Sequence, residues 1–222
     1  MLIVLEGLDG AGKSTQLKML CNYLEQSGKK LKYLHFPRYD VQPFGGLISN
    51  FLKGEYGSNE AVHPQLVALL FAEDRHAAAQ QINEWLEDGY CVVLDRYVYS
   101  NIAFQTAKVK NPAKAAELRD WIFDLEYNTF KIPQPDLNLF LDVPIDFVES
   151  ELQHTRSGSD RDYLEGAQDI HEADIEFQKR VRAVYRACCE TDKNFIRIDC
   201  ADAQTGRIMA PEAIFAKIKS KL

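Results

Sequence analysis

The sequence predicts an α/β fold: a five-stranded parallel sheet with helices on both faces. Three observations lead there. Five short apolar runs are spread along the chain, and a longer helical pattern follows each, the alternation that builds parallel sheets. The first run, Leu2-Ile3-Val4-Leu5, is apolar without interruption, as a strand buried on both faces must be. It opens into a glycine-rich loop and then an amphipathic stretch, the strand–loop–helix order of a phosphate-binding unit.

The elements follow in order. Gly7-Leu8-Asp9-Gly10-Ala11-Gly12-Lys13-Ser14-Thr15 reads G-x-x-x-x-G-K-S, a P-loop, which specifies the fold further as the P-loop NTPase type. Its glycines let the backbone N–H groups approach phosphate oxygens, and the helix that starts at about Lys13 and runs to Gln26 turns its positive end to the same anion. Lys13 reaches the β- and γ-phosphates, and the Ser14 hydroxyl suits Mg²⁺. Ser27-Gly28 stops the helix, and Leu31–Phe36 reads as the second strand, with Pro37-Arg38-Tyr39 at its C-terminal end, where open sheets place ligands. Pro43 and Gly45-Gly46 lead into a short helix, Leu47–Lys53. After a polar loop, Gly54–Asn59, comes a long helix from about Pro64 to Glu87. Cys91–Asp95 is the third strand. An Asp at its end, followed by Arg96-Tyr97, suits a Mg²⁺-linked carboxylate; a plain helix cap is the alternative. Helices Tyr99–Lys108 and Pro112–Leu125 follow. Pro133-Gln134-Pro135 is a rigid connector into strand four, Leu137–Leu141, and Pro144 opens the helix Ile145–His154. Thr155–Asp162 is polar, glycine-containing and carries Arg156 and Arg161, the composition of a lid that closes over phosphates, or of a plainly solvated loop. A long helix, Ala167–Glu190, strand five, Phe195–Asp199, the loop Cys200–Gly206 and a helix Pro211–Leu222 complete a single domain over residues 1–222, with the lid at about 155–163.

Composition narrows the partners. With 222 residues, 46% of them hydrophobic, the chain can bury a sizeable core. A formal net charge of −7 and a pI near 5.3 argue against a nucleic-acid or anionic-membrane surface while leaving room for small anionic substrates. No apolar stretch reaches the ~20 residues of a membrane span. Residue 1 runs straight into the first strand without a signal segment, and the five cysteines show no metal-site spacing, so a cytoplasmic protein with reduced core thiols is expected.

Two clusters announce a second substrate. Phe71 and Arg75 stand at i, i+4 on one helix face, and Asp95-Arg96-Tyr97 with Ser100, Asn101, Phe104 and Gln105 gathers charge, amide and aromatic groups past strand three. Arginines fork onto phosphate, and aromatics and amides hold a base. A guanine-specific switch would carry Asn-Lys-x-Asp on a late strand, which Asp192-Lys193-Asn194 does not supply.

These stretches, with Leu5–Thr15, Phe36-Pro37-Arg38, Leu69–Arg75 and Pro135–Leu141, resemble the thymidylate (dTMP) kinases, a P-loop nucleoside monophosphate kinase family, in order and spacing to about residue 185. The resemblance implies transfer of the γ-phosphoryl group of ATP to dTMP, giving dTDP for dTTP synthesis, with Mg²⁺ and as a homodimer through the long helices near Pro64–Glu87. It implies that Gly7–Thr15 (Gly7, Leu8, Asp9, Gly10, Ala11, Gly12, Lys13, Ser14 and Thr15) hold the ATP phosphates, and that Ser14 and, directly or through water, Asp95 serve Mg²⁺. Asp9 would accept the 3′-hydroxyl of dTMP, Phe71 would stack on thymine, and Arg75 and Asn101 would bond the base edge with help from Gln105. Phe104 would crowd the 2′-position, and Ser100 belongs to the same site. Arg38 and Arg96 would grip the acceptor phosphate, with Asp95 orienting Arg96 or acting through Mg²⁺. Arg156 and Arg161 would be lid arginines, and Tyr163 would close near the nucleotide. One branch of the family has a P-loop arginine where this chain has Gly10; here the lid supplies that charge. The resemblance is loose past about residue 185 and does not place the adenine contacts, for which the Cys200–Gly206 loop is a candidate. Catalytic work thus falls to Lys13, Asp95, Arg96, Arg156 and Arg161. A deoxynucleoside kinase, with Asp40 as base, or another nucleoside monophosphate kinase is the alternative.

Overall fold

The computed structural model describes residues 1–153, 164, 166 and 169–222; the expected lid, with Arg156, Arg161 and Tyr163, lies outside them. The five expected strands form. They are β1 (Leu2–Gly7), β2 (Leu31–His35), β3 (Cys91–Asp95), β4 (Leu137–Asp142) and β5 (Phe195–Asp199), all parallel in the order β2-β3-β1-β4-β5. The order follows from the apolar runs. β1, β3 and β4 are buried at every position and take the centre, whereas β2 and β5 keep partly exposed residues and take the edges. All five C-terminal ends face one way, so the chain must place its ligands past that edge.

Eight α-helices are described: α1 (Lys13–Gln26), α2 (Phe44–Leu52), α3 (Pro64–Glu87), α4 (Val98–Thr106), α5 (Pro112–Phe123), α6 (Ile145–Gln153), α7 (Ile175–Thr191) and α8 (Pro211–Lys219). α1 and α3 fall where the sequence places them. His63 caps α3, and Pro64 sits at its first turn, where a missing N–H costs nothing.

Three elements differ from expectation, each for a local reason. α2 begins at Phe44, so Gly45 is helical. The turn lies so close to the preceding loop that a Cβ on Gly45 would stand 2.2 Å from the Arg38 carbonyl oxygen. The helix that begins at Pro112 stops being α-helical at Phe123 and widens into a π-helical turn, Asp124–Thr129, that carries Glu126 into the interior. The helix expected from Ala167 begins only at Ile175. Among the described residues before it, Asp169 folds its carboxylate back onto the His171 N–H (2.7 Å), and Asp174 caps α7 by accepting from the Glu176 N–H (2.9 Å).

The main core packs the sheet between its helices. A smaller apolar cluster, Ile48, Phe51, Leu52 and Val67, joins α2 to α3, and Phe71 and Ile170 pack on it. All five cysteines are free, and burial pushes the Cys200 thiol up to about 12. No described helix is long and apolar enough to cross a membrane.

Candidate active site

The P-loop is built as its sequence requires. Gly10 and Gly12 adopt left-handed backbone (φ 72° and 74°), which only glycine takes without strain. Lys13 is buried, and its Nζ donates to the carbonyls of Leu8 (3.0 Å) and Gly7 (3.5 Å). Burial, and after it the charge of Arg96, pulls this ammonium down to about 8. Ser14 and Thr15 are exposed at the start of α1.

The end of β3 faces the P-loop. Asp95 is buried. Burial would favour its neutral form, but the His35 contact (Nδ1–Oδ2 3.1 Å) and the Lys13 charge outweigh it and hold the carboxyl below the usual range. Its Oδ1 has no hydrogen-bond partner among the described residues. Arg96 follows with φ 67°, a left-handed conformation that a side chain disfavours. From that kink the guanidinium reaches the P-loop and α4. Nη2 meets Asp9 Oδ1 at 2.6 Å, Nη1 meets Ser100 Oγ at 3.0 Å, and the guanidinium carbon lies 5.2 Å from the centre of the Phe104 ring.

Glu6 holds the kink. This carboxylate, in an otherwise apolar strand, accepts from the Tyr97 and Ser100 N–H groups (2.9 and 3.1 Å), from Ser100 Oγ (2.5 Å) and from the Tyr185 hydroxyl (3.0 Å). Burial outweighs those hydrogen bonds and raises its pKa. β1, the start of α4 and α7 therefore meet at one side chain.

A second buried carboxylate organises the far end. Glu126 lies between Arg75 (Nε 2.5 Å, Nη2 2.7 Å) and Asn101 (Nδ2 3.0 Å). Burial alone would lower the Arg75 pKa, but the Glu126 charge more than reverses this. Glu126 takes one edge of the guanidinium and leaves the Nη1 end for a ligand. Asn101 Nδ2 also donates to the Ala68 carbonyl (2.9 Å), so both amide hydrogens are used. Its Oδ1, like Gln105 Oε1, is buried with no partner among the described residues.

Between these ends lies a pocket with about 520 Å³ of open space. Eight expected residues line it: Asp9, Phe71, Arg75, Arg96, Ser100, Asn101, Phe104 and Gln105. Phe36, Pro37, Tyr39, Leu52, Asp169 and His171 complete its wall. Arg38 does not line this pocket. Its backbone N–H and Nε bond the Asp74 carboxylate (both 2.9 Å) and its Nη2 the Asp74 carbonyl (2.7 Å), which holds it in the neighbouring cleft with Ser14, His35 and Asp95. Asp40, exposed, lines that cleft too. Sequence reasoning missed Glu6, Glu126, His171 and Gln178. For Glu6 the signal was present, a carboxylate inside an apolar strand. For Glu126 it was hidden by a turn that breaks the 3.6-residue period.

The arrangement gives a cationic end at Lys13 and Arg96 and a polar, aromatic end at Phe71, Arg75 and Asn101. A family model described as thymidylate kinase matches residues 5–206 of the chain. The thymidylate kinase of Mycobacterium tuberculosis is 34% identical over 185 residues, 83% of this chain and 84% of that protein. That of Plasmodium falciparum is 32% identical over 198 residues, 89% of this chain and 80% of that protein. The solved structure of thymidylate kinase from Candida albicans matches with a TM-score of 0.72 at 26% identity, covering 99% of this chain and 89% of that one.

Proposed function

The chain belongs to the thymidylate kinase family and transfers the γ-phosphoryl group of ATP to dTMP, and from that premise we propose how its residues divide the work. The observation that carries the proposal is the state of Asn101. With both amide hydrogens spent on Glu126 and Ala68, it can offer a base nothing but its unpartnered Oδ1, an acceptor. Thymine presents an N3–H donor next to the O4 acceptor. Asn101 takes the donor, and the free end of Arg75 supplies the acceptor. Cytosine inverts both groups and leaves buried polar atoms unpaired, the strongest form of rejection available to a pocket. Phe71 stacks on the ring and Gln105 supports its edge. Phe104 stands against the 2′-position, and Asp9 accepts the 3′-hydroxyl.

Arg96 holds the acceptor phosphate, with Ser100 and Asp9 fixing its fork. Arg38 joins it only by leaving Asp74. The phosphate's second pKa is ~6, so its oxygen is ionised at neutral pH and attacks without a general base. Catalysis is then positioning and neutralisation. The Gly7–Thr15 loop cradles the donor phosphates, Lys13 follows the transferred group, and Arg156 and Arg161 of the lid add charge, with Tyr163 beside the nucleotide. The donor set fits Mg²⁺: the orphaned Asp95 Oδ1 and the exposed Ser14 hydroxyl line one cleft, and both are hard oxygen ligands. When bound, the ion would neutralise charge on the ATP phosphates. Adenine belongs to the Cys200–Gly206 loop past β5. A cytoplasmic location suits a chain whose five cysteines are all free. The enzyme pairs as a homodimer that covers the exposed Leu47 of α2 and Leu66 of α3.

The test is ADP release with Mg²⁺-ATP and dTMP, dUMP, dCMP, GMP or thymidine. Fast turnover with dTMP, slower with dUMP and none with thymidine or dCMP is expected. Turnover with thymidine but not dTMP would replace the reading with a nucleoside kinase.

A further inference from the structure

One wall of the pocket carries an unexplained polar atom. His171 is 6% exposed, lines the pocket, and its Nε2 has no hydrogen-bond partner among the described residues. Folded proteins seldom leave such an atom orphaned, because a buried polar atom without a partner has lost its water and gained nothing in return. The ring is held firmly. Phe104, Phe51 and Phe177 surround it at centroid distances of 5.0, 5.6 and 5.5 Å. Its backbone is tied at both ends: the N–H donates to Asp169 Oδ1, and the carbonyl accepts from Gln178 Nε2 at 2.8 Å. That same Gln178 amide donates to Asp9 Oδ2 at 3.1 Å. One side chain thus couples the position of His171 to that of Asp9, and both line the pocket together with Phe104.

We propose that His171 is a substrate-contacting residue that donates from Nε2 to the 3′-hydroxyl oxygen of dTMP, while Asp9 accepts that hydroxyl's proton. The inference rests on the dTMP reading of the pocket and extends it. A hydroxyl has one hydrogen to give and two lone pairs to fill. Asp9 is a carboxylate and serves the hydrogen alone. The lone pair needs a donor, and a neutral imidazole protonated at Nε2 supplies it. The ring is neutral because burial, and then the charge of Lys108, hold its pKa well below the usual value, with Asp9 opposing them. The Lys108 ammonium is itself buried, without a hydrogen-bond partner among the described residues, and lies 4.9 Å from the centre of the Phe51 ring that flanks His171.

The experiment compares kcat/KM for dTMP and for 3′-deoxythymidine monophosphate, which lacks the oxygen concerned, in wild type, His171→Leu and His171→Gln. In His171→Leu the dTMP value should fall about tenfold and that of the analogue less than about threefold. His171→Gln, which keeps an N–H donor, should recover part of the loss. The ratio of the two substrates is taken on one preparation, so a partly folded variant does not distort it. Should His171→Leu not fold, His171→Phe, which keeps a planar ring among Phe104, Phe51 and Phe177 and has no N–H donor, carries the same comparison. An equal fall for both substrates, or none for either, would overturn the proposal. Failure of the wild type to phosphorylate dTMP would instead overturn the reading on which it rests.

Discussion

Replacing Glu126 by Gln tests the base end of the pocket most sharply. The substitution keeps the shape of the side chain and deletes its charge. Glu126 and Arg75 are 0% and 2% exposed, so the guanidinium would stay buried with no counter-charge on that edge. Breaking a buried pair costs about 3–5 kcal/mol, and at this chain length each kcal/mol moves Tm by about 2–4 °C. The Gln carbonyl, placed where Glu126 Oε1 stands, still accepts two of the three hydrogen bonds, from Arg75 Nη2 and Asn101 Nδ2, which puts the expected loss at the lower end, about 6–12 °C. Specificity should change as well. The new amide N–H then stands where Glu126 Oε2 stood and opposes Arg75 Nε, which displaces the guanidinium from its place beside Asn101. The Nη1 end of Arg75 would no longer meet the acceptor edge of the base. kcat/KM for dTMP should fall at least about tenfold, and the preference for dTMP over dCMP should shrink with it. Thermal unfolding and steady-state ADP release with the two nucleotides measure both effects. A Tm within about 2 °C of wild type together with an unchanged dTMP/dCMP ratio would refute the role given to Glu126.

Two further outcomes follow from the buried charges. Arg96→Ala and Arg96→Gly should both abolish transfer while ATP still binds, as seen by calorimetry. The Gly variant should be the more stable of the two by about 1 kcal/mol, and so unfold at a higher temperature, because φ 67° is free for glycine and strained for alanine; equal stabilities would remove the strain argument, and near-normal turnover of either variant the acceptor role of Arg96. Lys108→Met should stabilise the fold by about 1–3 kcal/mol and so raise Tm, since it replaces a buried ammonium that has no hydrogen-bond partner among the described residues by an apolar chain of similar length. Burial lowers the Lys108 pKa from 10.5 to about 7, so the folded state resists protonation that the unfolded state accepts. The penalty is therefore complete below about pH 7 and fades as pH rises toward 10.5, and the Tm gap between variant and wild type should narrow over that window. A gap that widens there would contradict the assignment.

The sequence made the frame plain because apolar runs and glycine spacing are local signals. β1, the P-loop and α3 each follow from a few adjacent residues, and so do the pocket side chains Phe71, Arg75, Arg96 and Asn101. What escaped depends on distance or on a broken period. Glu126 reaches Arg75 from 51 positions away, and it does so through a π-helical turn. Arg38 looked free in the sequence, and nothing local announces that Asp74, 36 residues on, claims it. His171 was hidden inside a stretch read as helix, because Asp169 and Asp174 both satisfied a helical pattern while their side chains were stopping one.

The position of β1 bears on how the chain is made. Its strand partners are β3 and β4, with Leu2 beside Val92 and Ile3 beside Leu137. At ~5–20 residues per second, a ribosome needs on the order of ten seconds after making β1 to supply those neighbours. Through that interval both hydrogen-bonding edges of a strand that ends up buried at every position lie open, and an open apolar edge recruits other strands. Cellular yield should therefore respond to translation rate and to chaperones that shield nascent chains more than to the stability of the finished sheet.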